Sequence, residues 1–327
     1  MPPRKRSDIP RPFLKWAGGK TQLLGQFEVL YPDESLVKRY LEPFVGSAAV
    51  FFQIRGLLKP AEMVLADSNP ELINAYRAIQ QEVEQVIRLL ARHRRAHSQE
   101  HFYRIRALQP SALSPEEQAA RTIYLNKTCF NGLYRVNSRG GFNVPIGRYD
   151  DPPILDARNL RAVSAALRGV ELREGHFRDT LQYARKGDFI YFDPPYQPLS
   201  STALFTAYTR NSFGPKDQET LAEVFRLLNE RGCRVMLSNS DTPLIHRLYR
   251  GFDLRTVDAR RSINSKASRR GAISEIVVLN YEPSNRIVRE GSTKSHLAKP
   301  RLRRVRQSAG LSAKRRRAQL PTLSFSS

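Results

Sequence analysis

The tetrapeptide Asp193-Pro194-Pro195-Tyr196 follows an apolar run, Phe189-Ile190-Tyr191-Phe192, and its residue types point to one chemistry. The run reads as a buried strand, which puts the Asp193 carboxylate at a strand's carboxyl end, where open α/β sheets hold their ligands. A planar exocyclic amine such as that of adenine is a poor nucleophile, because its lone pair is delocalised into the ring. Two acceptors aimed at its hydrogens localise the pair on nitrogen. The Asp193 carboxylate and the Pro194 carbonyl suit this task, since Pro195 stiffens the turn and has no N–H to compete. Tyr196 offers an aromatic face to a base taken out of a duplex. Methyl transfer would then be a direct in-line displacement, helped by positioning and electrostatics, without metal or covalent intermediate. Taken alone, the four residues fit equally a proline-terminated strand with a capping aspartate.

Three other segments carry binding chemistry. In Phe13-Leu14-Lys15-Trp16-Ala17-Gly18-Gly19-Lys20, the Gly19-Lys20-Thr21 step invites a phosphate-loop reading, but Leu14 stands where such a loop needs glycine. The paired glycines suit either close backbone approach to a small ligand, with Trp16 and Lys20 as contacts, or a turn beside a core tryptophan. Glu42-Pro43-Phe44-Val45-Gly46 ends an extended segment in a glycine turn that lets backbone amides approach a cofactor's polar end. Asp67 closes a second short strand, where a carboxylate either reaches ribose hydroxyls or caps the next helix.

These side chains need a scaffold, and the chain supplies strand, turn and helix twice in succession: Tyr40 to Phe52, then Met63 to Asp67 followed by Asn69 and an apolar-periodic Glu71 to Ile79. The succession predicts an α/β sheet of parallel units. From about Gln80 the periodicity is helical, with Val83, Val86, Ile87 and Leu90 on one stripe and Ser114 to Glu117 spaced as a helix N-cap with an acidic third residue. Asn131 to Tyr149 alternates aromatic and polar residues around Ser138-Arg139-Gly140-Gly141, which reads as a β-hairpin or an ordered loop. The α/β texture returns at Gly187, with a helix over Gln218 to Asn229 and strands over Arg234 to Ser238 and Ala272 to Tyr281. The expected organisation is a catalytic domain over 8–79 and 156–283, an insert over 80–155, and a basic disordered tail over 284–327.

Lysine and arginine number 54 against 31 acidic residues, a formal charge of +23, so a polyanion is the expected partner. Arg260, Arg261 and Lys266 to Arg270 would contact phosphates or form a plain charged hairpin. Cys129 and Cys233 have neither disulfide-framework nor zinc-ligand spacing. No apolar run approaches the roughly 20 residues needed to span a bilayer, and the expectation is a soluble, cytoplasmic monomer that meets no membrane.

Together the segments at 13–20, 41–52, 65–76, 129–149, 193–213 and 237–242 resemble, in order, those of the Dam-type (D12 class) adenine-specific DNA N6-methyltransferases. The resemblance covers nearly all of the chain up to Tyr281. It implies a Rossmann-like S-adenosylmethionine-dependent methyltransferase sheet with an inserted, mainly helical target-recognition subdomain carrying a β-hairpin. It implies catalysis by Asp193, Pro194, Pro195 and Tyr196, and cofactor contacts from Trp16, Lys20, Glu42, Phe44, Gly46, Asp67 and Asp193, with no metal. The implied partner is double-stranded DNA, read through Asn131, Leu133, Arg135, Pro145, Arg148 and Tyr149. Arg135 maps onto the arginine that reads guanine in relatives acting on GATC, and its fork matches guanine O6 and N7. One departure stands out: Ala48 replaces the glycine usual in the family, and its methyl is expected to alter how closely the backbone meets the cofactor. Ala48 and the basic charge also suggest a DNA-binding module that no longer catalyses, against which the intact Asp193 to Tyr196, Lys20 and Asp67 argue. Cytosine N4, RNA or a protein amide would be alternative acceptors; the recognition segment favours adenine in duplex DNA.

Overall fold

The computed structural model describes residues 10–197, 213–259, 273–284 and 303–304. Arg260, Arg261, Lys266 to Arg270, 198–212 of the segment after Tyr196, residues 8 and 9, and all of 285–327 except 303–304 lie outside the described residues. One sheet organises the chain, with strands β1 (Arg39–Glu42), β2 (Glu62–Asp67), β3 (Val170–Glu174), β4 (Phe189–Phe192), β5 (Arg234–Ser240), β6 (Asp253–Ala259), β7 (Ile273–Leu279) and a two-residue β8 (Arg303–Arg304). Their order is β3-β2-β1-β4-β5-β7-β6-β8. The first five are parallel, with Tyr40 beside Met63 on one side and beside Phe189 on the other, and β7 enters antiparallel between β5 and β6.

Helices of six residues or more are α1 (Ala49–Leu57), α2 (Pro70–Arg95), α3 (Gln99–Ala107), α4 (Pro115–Thr128), α5 (Ala157–Leu167), α6 (Pro215–Glu230) and α7 (Pro243–Leu248). Every residue of β1 and β4 is buried, as in parallel strands covered on both faces. Alternate residues divide between two cores: Tyr40, Met63, Leu65, Phe189 and Tyr191 pack with α1, α2 and α5, whereas Leu41, Val64, Ile190 and Phe192 pack with α6 and α7.

Local sequence explains where helices begin. Asn69 caps α2 by accepting from Leu72 N, with Pro70 at the first helical position. Ser114 and Glu117 close a reciprocal capping box on α4, as their spacing predicts. Close to the change of texture near Gln80, α2 kinks at Glu82, whose backbone leaves helical geometry (φ −132°, ψ 44°) and joins two helical stretches. Helix α2 packs along α4 and α5. The segment Asn131 to Tyr149 is a hairpin with two isolated antiparallel bridges, Val136 to Phe142 and Cys129 to Ile146, rather than continuous strands. Strands β3 and β6 and helix α5 went unread in the sequence. Of the residues read as a disordered tail, Ser284 N donates to Tyr31 O, and Arg303–Arg304 pair with β6.

Candidate active site and cofactor cavity

The strand order reverses between β1 and β4, and at that switch point the carboxyl ends of β1, β2 and β4 open into a cavity of about 860 Å³. Its lining takes in each residue implied for catalysis or cofactor: Trp16, Lys20, Glu42, Phe44, Gly46, Asp67, Asp193, Pro194, Pro195 and Tyr196. Four distant segments converge: the ends of β1, β2 and β4 deliver Glu42 to Gly46, Asp67 and Asp193 to Tyr196, and the glycine-rich segment 16–20 lies against them.

On the side of the proline turn, Asp193 Oδ1 forms an ion pair with Lys20 Nζ at 2.8 Å and accepts from Ser238 Oγ at 2.9 Å. Ser238 spends its single proton on that bond, so the Tyr191 hydroxyl 2.9 Å away is the donor to Ser238. The Lys20 ammonium also donates to Gly18 O and lies 4.5 Å from the centre of the Tyr196 ring. Lys20, expected on the cofactor alone, thus reaches the carboxylate and the aromatic face of the proline turn. Burial raises the Asp193 carboxyl above its ordinary range, while Lys20 and Ser238 pull it back down. The turn is clamped from behind: Gln218 Nε2 donates to Pro195 O, Asn239 Nδ2 to Gln218 Oε1, and Tyr196 OH to Glu275 Oε2. Among the described residues no group donates to Pro194 O.

On the side of the glycine turn, Gly46 (φ 45°) sits against the indole of Trp16; a Cβ there would lie 2.9 Å from Trp16 Cδ1. Asp67 is not the cap of α2, a place taken by Asn69: its Oδ1 accepts from Asn69 N and its Oδ2 from Gly46 N, while the side chain faces the cavity. Phe44, Phe177 and Phe213 form an aromatic wall, with ring centroids 5.4 to 5.8 Å apart. Glu42 is buried, accepts from Tyr40 OH at 2.6 Å, and holds its proton up to about 8 because burial outweighs that bond. Ala48 is fully buried in the core behind the turn and does not itself line the cavity; its backbone is held left-handed at φ 58°, ψ 27°.

The six residues implied for DNA lie outside the cavity. Asn131, Leu133, Arg135, Pro145 and Arg148 are exposed, Tyr149 is half-buried beneath Lys15 Nζ at 5.0 Å, and Arg135 Nε donates to Asn143 Oδ1 at 2.7 Å. Sequence reasoning passed over Phe130, half exposed beside Leu133. It passed over Phe177, Gln218 and Asn239 too, although Ser238 and Asn239 belong to the family-like segment 237–242. An aromatic residue facing solvent and an amide buried in a strand leave no signal in composition or periodicity.

A sheet in this order, with its ligand crevice at the reversal, is that of a Rossmann-like methyltransferase. Residues 16–263 match the family described as D12 class N6 adenine-specific DNA methyltransferase. A Type II methyltransferase of Lactococcus lactis subsp. cremoris is 43% identical over 277 residues, covering 83% of this chain and 95% of the relative. A Type II methyltransferase of Methanocaldococcus jannaschii is 40% identical, covering 83% and 99%. The DNA adenine methylase of Escherichia coli K12 is 37% identical, covering 84% and 96%. The chain belongs to the D12 class and is an adenine-specific DNA methyltransferase. Membership implies S-adenosylmethionine as methyl donor, and the cavity fits a molecule of that chemistry: a glycine turn for close approach, a carboxylate at β2, an aromatic wall and a volume within the usual range for cofactors. Among the described residues no helix is long and apolar enough to cross a membrane.

Proposed function

We propose that the protein methylates N6 of adenine within GATC in duplex DNA, on a base extruded into the crevice between Asp193 and Tyr196. The observation that carries this reading is the strand-end carboxylate of Asp193, open to the cavity (19% exposed) beside an aromatic face and a carbonyl to which no group donates among the described residues. S-adenosylmethionine supplies a methyl on a sulfonium, an electrophile that needs no metal. Around it, Asp67 would take ribose hydroxyls, Gly46 and its neighbours the polar end, and Trp16, Phe44 and Phe177 the apolar faces. Asp193 and Pro194 O accept the two amine hydrogens and so return the lone pair to nitrogen, and Tyr196 stacks the base and fixes its plane. Water is excluded by the proline turn and the phenylalanine wall, which strengthens each of these polar contacts.

Residues 80–155 serve as the target-recognition subdomain. Arg135 reads guanine in the major groove, Leu133 and Pro145 touch base edges, and Arg148, Asn131 and Tyr149 hold the strand near the site. The exposed Phe130 ring suits stacking against bases opened by extrusion. Support for GATC comes from the Asn131 to Arg135 likeness and from the exposure of that arginine.

Purified protein, labelled S-adenosylmethionine and a duplex library should yield label at N6 of adenine alone, with modified positions falling in GATC. Asp193→Ala should lower transfer at least about a hundredfold while duplex binding persists. Label on cytosine, or undiminished transfer by Asp193→Ala, would reject the mechanism, and a different modified sequence would reject GATC.

A further inference from the structure

Trp16 has two neighbours of different purpose. One edge of its indole lies against Gly46, whose N–H is held by Asp67 Oδ2 at 3.2 Å and whose carbonyl accepts from Tyr76 OH at 2.9 Å. Its face stacks on Tyr134, with centroids 5.3 Å apart and planes 28° apart. Tyr134 sits between Leu133 and Arg135, and its hydroxyl donates to Glu71 Oε1 at 3.1 Å, four residues beyond Asp67. A cavity wall and the hairpin are therefore in contact through this aromatic pair.

Asn126 makes the same connection in the backbone. It is buried at 2% exposure; its Oδ1 accepts from Lys15 N at 2.8 Å, and its Nδ2 donates to Lys15 O at 2.8 Å and to Gly132 O at 2.9 Å. Both amide hydrogens are used, so one side chain ties the residue before Trp16 to the residue before Leu133. The fit is tight. Gly132 (φ 65°) has no room for a Cβ, which would lie 2.4 Å from Lys15 Cδ. Groups packed this closely pass a displacement on instead of absorbing it.

We infer that Asn126 and Tyr134 are positioning residues that couple the cofactor cavity to the recognition hairpin, so that cofactor and target duplex each tighten the binding of the other. The inference rests on the proposed roles of cavity and hairpin. A ligand that fixes Gly46 and Trp16 fixes the partner of Tyr134, and a duplex that fixes Leu133 and Arg135 fixes Tyr134 from the other side. Linkage makes the effect reciprocal: the factor by which duplex tightens cofactor equals the factor by which cofactor tightens duplex.

The test measures the dissociation constant of S-adenosylhomocysteine, an unreactive probe, for the full chain with and without a saturating GATC duplex. Wild type should bind the probe about fivefold or more tightly when duplex is present. Tyr134→Leu, which loses the stack, should bring that factor close to one, and Tyr134→Phe, which keeps the stack and loses only the Glu71 bond, should retain it. Asn126→Asp, isosteric but without the two donors, should lower the factor as Tyr134→Leu does, and serves if that variant does not fold. A purely structural role would weaken probe and duplex separately and leave the factor unmoved. A wild-type factor near one, with both ligands bound singly, overturns the inference and leaves the proposed function standing. Failure to bind either ligand singly removes both.

Discussion

Two carboxyls that line the cavity are buried in different company. Asp193 is held by Lys20 and Ser238, which offset the burial that raises it. Among the described residues Glu42 pairs with no cation and is held by Tyr40 OH and a backbone donor, and it keeps its proton up to about 8 against an ordinary 4.5. In the unfolded chain the proton leaves near 4.5, so the folded state binds more protons between about 4.5 and 8. Stability from this group is therefore complete below 4.5 and lost as pH rises through 8. The effect can reach about 5 kcal/mol at high pH. Glu42→Gln, which keeps an acceptor for Tyr40, should melt higher than wild type at alkaline pH by about 5 °C or more and converge with it in acid. Equal melting points of the two proteins in alkali would show that Glu42 is ionised without cost.

At the scale of elements, the turn between β1 and α1 decides how a glycine-rich loop can carry alanine. Ala48 occupies the N-cap of α1 in the left-handed region, where a Cβ costs about 1 kcal/mol, yet its methyl is fully buried and returns about 0.8 kcal/mol. Ala48→Gly should accordingly change stability by less than about 1 kcal/mol, and leave the affinity for S-adenosylhomocysteine within about twofold of wild type. A large gain in cofactor affinity would mean that the methyl does crowd the cavity. Elements with strong local signals were legible in the sequence: the apolar run of β4, the Asn69 cap of α2, the Ser114 to Glu117 box of α4. Strands β3 and β6 were not, because each lies toward an edge and mixes charged with apolar residues, as in Val170 to Glu174. Helix α2 was legible too, since the change of periodicity at Gln80 lies two residues before its kink at Glu82.

For the whole molecule, charge and sheet do separate work. Residues 285–327 hold 12 of the 54 lysines and arginines, and a polyanion would feel them whatever their fold. Deleting 285–327 should flatten the dependence of duplex affinity on salt by about 0.9 in log–log slope for each phosphate the tail had neutralised, without changing which adenine is methylated. Binding titrations at several salt concentrations and mapping of modified bases check both parts; an unchanged slope would remove the tail from the interface. What the sequence determined by itself is the set of ingredients: the strand-end Asp193 with its prolines, the glycine turns, Asp67, and an arginine-bearing hairpin, each marked by local composition or by likeness to a family. Their assembly was decided in three dimensions. The reversal between β1 and β4 brings Glu42, Asp67 and Asp193 to one crevice, and burial there raises the pKa of each carboxyl. Asn126, Gln218, Asn239 and Tyr134 look like ordinary polar or core residues in a string of letters, since a hydrogen bond or a stacked ring between residues about 20 to 120 positions apart exists only once the backbone has closed around it.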